Sequence, residues 1–210
     1  MIKSDVISAI ENDKIIAVIR LNNTAQLLYY CELLIQTGIR CIEITLTMEN
    51  ALKHITDIYT RFGKSIILGA GSVKNAEQTL QALNAGAQYI VSPGFDIGVV
   101  TTAQKNGVTV IPGALTPTEV MGCIDAGADY IKIFPSSLGG AQYIKALKAP
   151  LPEARLIALG GVNGDTATAF IAAGASAIGA GSWLINDMLI AADDPSVITQ
   201  RAQQLLAAVQ

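Results

Sequence analysis

The 210-residue sequence predicts an α/β chain folded as a (β/α)8 barrel, the TIM-barrel architecture, with one extra helix at its N-terminus. Three observations carry this. Short apolar runs bounded by turn signals recur eight times, as expected for parallel strands buried on both faces. Helical patterns separate them. Many of these patterns end on a glycine that leads straight into the next apolar run. Eight such units close most simply into a barrel, and an open doubly wound sheet is the alternative. Residues 1–210 then form a single domain, small for a fold that typically needs about 250 residues, so the loops must be short.

In chain order, an extra helix near 3–12 precedes a first strand near 15–20. The remaining strands fall near 41–46, 66–70, 88–92, 108–112, 129–134, 155–159 and 176–179, and a last helix near 195–209 closes the chain. The junction glycines are Gly38, Gly86, Gly107, Gly127 and Gly174. A residue just past a helix C-terminus takes a left-handed conformation that glycine adopts cheaply. Helix starts are read at Thr24, Asn75, Asp96, Thr116 and Asp165, whose side-chain oxygens can accept from the first free N–H groups.

Composition narrows the function classes. Apolar residues make up 51% and charged residues 15%, with a net charge of −3 and no basic cluster. That argues against nucleic acid and anionic membrane surfaces as partners. No apolar run is long enough to span a membrane. The first fourteen residues hold five charged side chains and no signal-peptide core, which predicts a soluble, cytoplasmic protein. Cys31, Cys41 and Cys123 lack CxxC spacing and read as reduced packing residues. A metal site is not expected, because the single histidine, His54, falls on a predicted helix.

In this architecture chemistry sits where strands end and βα-loops begin. Those ends carry Arg20, Glu43, Thr45, Thr47, Gly71-Ser72, Ser92-Pro93-Gly94, Pro112-Gly113, Lys132, Phe134-Pro135-Ser136, Gly160-Gly161 and Gly181-Ser182. Glu43 and Lys132 are charges inside apolar strands, each flanked by isoleucines. Strand alternation puts Lys132 on the face opposite Ile131 and Ile133. Desolvation disfavours the ammonium form of a buried lysine, and a neutral amine attacks a ketone to give an imine. Glu43 is the natural proton-transfer partner. The alternative is a Glu43–Lys132 ion pair without chemistry, but a buried pair is a poor stability device. Gly160-Gly161-Val162 and Gly179-Ala180-Gly181-Ser182 suit an anion cradle of backbone N–H groups, or else tight turns. Arg20 suits a carboxylate, a phosphate or a surface ion pair.

Taken together, these motifs resemble one family. Glu43-Ile44-Thr45, Gly69-Ala70-Gly71-Ser72, Ser92-Pro93-Gly94, Thr116-Pro117-Thr118-Glu119, Lys132-Ile133-Phe134-Pro135, Gly160-Gly161-Val162 and Gly181-Ser182-Trp183 come in the order found in 2-keto-3-deoxy-6-phosphogluconate / 4-hydroxy-2-oxoglutarate aldolases. The resemblance covers nearly the whole chain. It implies a homotrimeric class I aldolase without metal or organic cofactor. Its substrate is a phosphorylated keto acid, cleaved to pyruvate and glyceraldehyde 3-phosphate. The resemblance makes Lys132 the Schiff-base residue and Glu43 the general acid/base. It puts Ser72 near the pyruvyl carboxylate, with Gly161 and Ser182 at the phosphate. Arg20, Thr45, Thr47, Pro93, Phe134, Leu159, Gly160 and Gly181 complete the expected substrate-binding set.

Two positions depart from the pattern. Thr47 stands where many members have arginine, a role that Arg20 is placed to assume. Ala158-Leu159 stands where phosphogluconate-type enzymes usually read Pro-Thr. Leu159 looks more like the phosphogalactonate-specific relatives, whereas Ser182-Trp183 resembles the phosphogluconate branch. Rival classes are a phosphate-binding isomerase or epimerase barrel and a non-catalytic binding barrel. The isomerases need paired acids or a Cys–Asp arrangement at strand ends, which the sequence does not offer.

Overall fold

The computed structural model describes residues 2–210. Helix α1 (Lys3–Asp13) leads into β1 (Ile15–Ile19), α2 (Leu27–Thr37), β2 (Cys41–Thr45), α3 (Ala51–Phe62), β3 (Ile67–Gly71), α4 (Ala76–Asn84), β4 (Tyr89–Val91) and α5 (Ile97–Lys105). The second half runs β5 (Thr109–Ile111), β6 (Gly113–Ala114), α6 (Pro117–Asp125), β7 (Ile131–Ile133), α7 (Gly140–Lys148), β8 (Leu156–Leu159), α8 (Ala167–Ala172), β9 (Ala177–Ala180), α9 (Asp187–Ala191) and α10 (Pro195–Ala208).

The strands lie in the order β5-β4-β3-β2-β1-β9-β8-β7-β6, and the pairings between them are parallel. The two ends of this sheet, β5 and β6, are consecutive in the chain and separated only by Pro112. The nine segments are therefore the eight expected strands, with the fifth split in two. Proline explains the split, because it has no N–H to give a ladder. Its carbonyl still accepts from Lys132 N at 2.9 Å. The barrel closes through the chain itself.

All five junction glycines have positive φ, from +67° at Gly107 to +110° at Gly86. Asn75, Asp96 and Thr116 cap α4, α5 and α6 as expected. Thr24 and Asp165 do not act as caps. Helix α2 starts at Leu27, and Thr24 contributes only its carbonyl, to Leu27 N. Asn163 takes the place of Asp165, its Oδ1 accepting from Asp165 N at 2.9 Å and Thr166 N at 3.0 Å.

Alternation along the strands divides the core. Ile42, Ile44, Ile131 and Ile133 face the helix layer, whereas Ile16, Val18, Tyr89 and Ile157 fill the barrel interior. Val6, Ala9 and Ile10 of α1 join that interior cluster, so α1 plugs the mouth at the strands' N-terminal ends. Ion pairs ring the plug: Lys3–Asp129 at 2.7 Å, Arg40–Asp13 at 2.9 Å, and Arg155–Glu11. Exposed pairs contribute about 0–1 kcal/mol each, so the apolar face does most of the holding. The interior can open only at the opposite end. The three cysteines are buried and free, and burial pushes each thiol up to about 12.

Gly69 sets the fill of this interior. A Cβ there would lie 2.2 Å from the Tyr89 ring. Gly69→Ala is expected to cost about 1–3 kcal/mol by overpacking. For a chain of this size that lowers Tm by about 2–4 °C per kcal/mol in thermal denaturation.

Candidate active site

Glu43 in β2 and Lys132 in β7 both point into the barrel, being 1% and 6% exposed. Their isoleucine neighbours occupy the outer layer, which fixes the inward direction of the charges. They form no ion pair within 4 Å among the described residues, and neither Glu43 oxygen has a hydrogen-bond partner. Burial pushes the Glu43 carboxyl above its ordinary range, while the charge of Lys132 pulls the other way. The simple buried ion pair is therefore not what the fold builds. Leaving a buried polar group unsatisfied costs about 1–3 kcal/mol, more for a charged one. A fold that keeps such groups beside an open mouth keeps them for another partner.

Glycines make the space. A Cβ on Gly71 would fall 1.8 Å from Glu43 Oε1, so only glycine lets the carboxyl rise against β3. Lys132 Nζ lies 4.8 Å from the centroid of the Phe134 ring, which is 41% exposed and walls the mouth. Ser136 Oγ, itself buried, donates to Ile133 O at 2.7 Å and accepts from Leu159 N at 3.0 Å. It ties the loop carrying Phe134 to the end of β8. Leu159 is 8% exposed and fills the space that Gly179 leaves, where a Cβ would sit 2.5 Å from its Cδ1.

The remaining expected residues surround the same mouth. Arg20, Gly181 and Ser182 follow the neighbouring strands β1 and β9, and Gly160-Gly161 follows β8. Arg20 is exposed and makes no ion pair among the described residues, which removes the surface-pair reading. The backbone N–H groups of Gly161, Val162, Ser182 and Trp183 find no protein acceptor among the described residues. Unpaired N–H groups beside an arginine make this quadrant electropositive. Thr45 Oγ1 donates to Ile19 O at 3.3 Å and lies 3.0 Å from Thr47 Oγ1, binding the ends of β1 and β2 together. Ser72 takes φ +59°, a left-handed conformation that a non-glycine residue adopts at a cost of about 1–3 kcal/mol. Pro93 is exposed on the loop after β4, across the mouth from the Arg20 quadrant.

One contributor escaped the sequence reading. The Asp187 carboxylate accepts from Asn22 N at 2.9 Å, Asn22 Nδ2 at 2.8 Å and Asn23 N at 3.0 Å. Hydrogen bonds from Asn23 and Asn22 hold this carboxyl below its ordinary range. The clasp fastens the loop after Arg20 to the helix after Ser182. Its partners lie about 165 residues apart, so no local pattern announces it.

Comparison with known proteins agrees with this geometry. The family model described as KDPG and KHG aldolase matches residues 6–201. The chain is 34% identical over 205 residues to the 2-dehydro-3-deoxy-phosphogluconate aldolase of Treponema pallidum (strain Nichols), covering 97% of each. It is 37% identical over 171 residues to the 2-dehydro-3-deoxy-6-phosphogalactonate aldolase of Escherichia coli (strain K12), covering 81% of this chain and 83% of that one. Among solved structures it superposes with a TM-score of 0.86 on the KDPG aldolase of Legionella pneumophila, captured with pyruvate as a covalent carbinolamine. That match is 25% identical and covers 94% of this chain and 96% of the other. A barrel mouth with an unpaired buried lysine and glutamate, together with these matches, identifies the chain as a member of the KDPG and KHG aldolase family.

Proposed function

We propose that the barrel mouth cleaves a 2-keto-3-deoxy-6-phospho sugar acid to pyruvate and D-glyceraldehyde 3-phosphate through an imine on Lys132. The observation that carries this is the pair of buried, mutually unpaired side chains, Lys132 and Glu43, at the open end of the barrel. Lys132 Nζ attacks the C2 ketone, and loss of water from the carbinolamine leaves a protonated imine. Glu43 takes the C4 hydroxyl proton. The C3–C4 electron pair then flows into the imine, the aldehyde departs, and an enamine remains. Protonation at C3 and hydrolysis release pyruvate and restore the amine. The imine is the electron sink, so catalysis needs no metal or organic cofactor.

The substrate's two anionic ends fit the two sides of the mouth. The N–H groups after β8 and β9, with Gly160, Gly161, Gly181, Ser182 and Arg20, suit the phosphate. Ser72, Thr45, Thr47 and Pro93 lie toward the pyruvyl carboxylate, and Phe134 flanks the reacting lysine. A second sugar acid is favoured by one observation: the apolar Leu159 side chain at the end of β8, where a hydrogen-bonding residue would read a hydroxyl. An apolar residue there accords with a 6-phosphogalactonate-derived keto acid, and 4-hydroxy-2-oxoglutarate is the further alternative within the family. The reaction is assigned to the cytoplasm, where charged phosphate esters are retained. Phe95 and Ile97 at the start of α5 and Met121 in the middle of α6 expose apolar surface, which suits a homotrimer. Light scattering is expected to give three times the chain mass, and a monomer at all concentrations would refute the assembly.

A lactate dehydrogenase-coupled assay on the two 2-keto-3-deoxy-6-phospho sugar acids is expected to show pyruvate release from at least one. No release from either refutes the proposed substrate class. Glu43→Gln is expected to lower kcat by about 10²- to 10⁴-fold. The same variant is expected to be the more heat-stable at high pH. Burial raises the carboxyl's folded-state pKa, so its contribution to stability is full below the unfolded value and declines as pH rises. The Tm advantage of Glu43→Gln should therefore widen as pH rises above the ordinary unfolded-state value of about 4.3. A pH-independent difference would contradict the assignment of a buried ionising carboxyl.

A further inference from the structure

Five buried side-chain atoms among the described residues lack a hydrogen-bond partner: Glu43 Oε1 and Oε2, Tyr89 Oη, Thr109 Oγ1 and His54 Nε2. The first four share one tier of the barrel interior. The strand register sets Glu43 beside Gly69, Gly69 beside Tyr89, and Tyr89 beside Thr109. Neighbouring residues in register face the same way, and Tyr89 belongs to the interior cluster, so all four positions face inward. Buried polar atoms are normally paired, and four orphans in one tier call for a cause.

Gly69 brings the tyrosine to the glutamate. Its missing side chain lets the Tyr89 ring cross β3, with Cζ 2.2 Å from where a Cβ would be. Gly71, the next inward position on β3, receives Glu43 Oε1 in the same way at 1.8 Å. Inward positions two residues apart on a strand lie about 6.6 Å from each other. The tyrosine ring thus packs over Gly69, one inward step farther from the mouth than Gly71, against which the carboxyl lies. Tyr89 is fully buried and its hydroxyl is pushed well above its usual value, first by burial, then by Cys41 and Glu43. It stays protonated and able to donate.

We propose that Tyr89, with Thr109 beside it, is a positioning residue for Glu43, its hydroxyl donating through one buried water to the carboxylate and holding it toward Lys132. This rests on Glu43 being the proton-transfer group. The titratable groups facing that carboxyl in the interior are Lys132 from β7, Tyr89 from β4 and Cys41 from its own strand, with Tyr130 and Arg155 at the far end against α1. A tyrosine present only as filler would be replaced by phenylalanine without effect.

The test compares the parent enzyme with Tyr89→Phe and Thr109→Val on the cleaved keto acid. Tyr89→Phe is expected to lower kcat about tenfold with KM nearly unchanged. A lost donor to a carboxylate raises its proton affinity, so the acidic limb of the kcat profile is expected to move to higher pH. Borohydride trapping with saturating pyruvate should still label the variant fully. An unchanged kcat and pH profile in folded Tyr89→Phe overturns the proposal. If that variant folds poorly, Thr109→Val decides: a shifted profile supports the proposal and an unchanged one overturns it. Absence of trapping in the parent would instead mark failure of the Lys132 reading.

Discussion

Two ionisable side chains buried in one barrel without pairing with each other form the constraint on which the rest of this structure depends. Glu43 and Lys132 come from strands on different sides of the barrel, and the register keeps them apart. Had they met, the pair would have neutralised the chemistry of both. Held apart, each retains an unmet demand that a keto acid with a carbonyl and a hydroxyl can satisfy. The cost falls on stability, and the surrounding apolar layers offset it.

The fold supplies that arrangement through two simple devices. Helix α1 closes the lower mouth with Val6, Ala9 and Ile10, so solvent and substrate share a single entrance. Glycines on β3 then hollow the interior where the polar side chains must cross, at Gly69 for Tyr89 and at Gly71 for Glu43. At the rim, the Asp187 clasp and the Ser136 bridge hold loops from neighbouring strands in fixed relation. Arg20, Phe134 and the free N–H groups therefore sit on rigid elements, which suits recognition of a doubly anionic substrate.

The strand–helix period was legible because each unit carries its own punctuation, a glycine after the helix and an apolar run after the glycine. Glu43 and Lys132 were legible because a charge flanked by isoleucines has no ordinary structural explanation. Helix caps were readable where a single side chain competes for the first N–H groups, as at Asn75, Asp96 and Thr116. At 163–166 two candidates competed and Asn163 prevailed, which sequence spacing alone does not decide. Tyr89 and Thr109 look like ordinary strand residues, and only their unmet hydroxyls distinguish them. The Asn22–Asp187 clasp and the plugging role of α1 depend on the closed barrel, so no local window reveals them.

The most direct test of the central claim is peptide mapping by mass spectrometry after borohydride reduction in the presence of pyruvate. One reduced pyruvyl adduct per chain, on Lys132 alone, is the predicted result. An adduct on Lys145 or Lys148, or none at all, would contradict the assignment of Lys132 as the nucleophile.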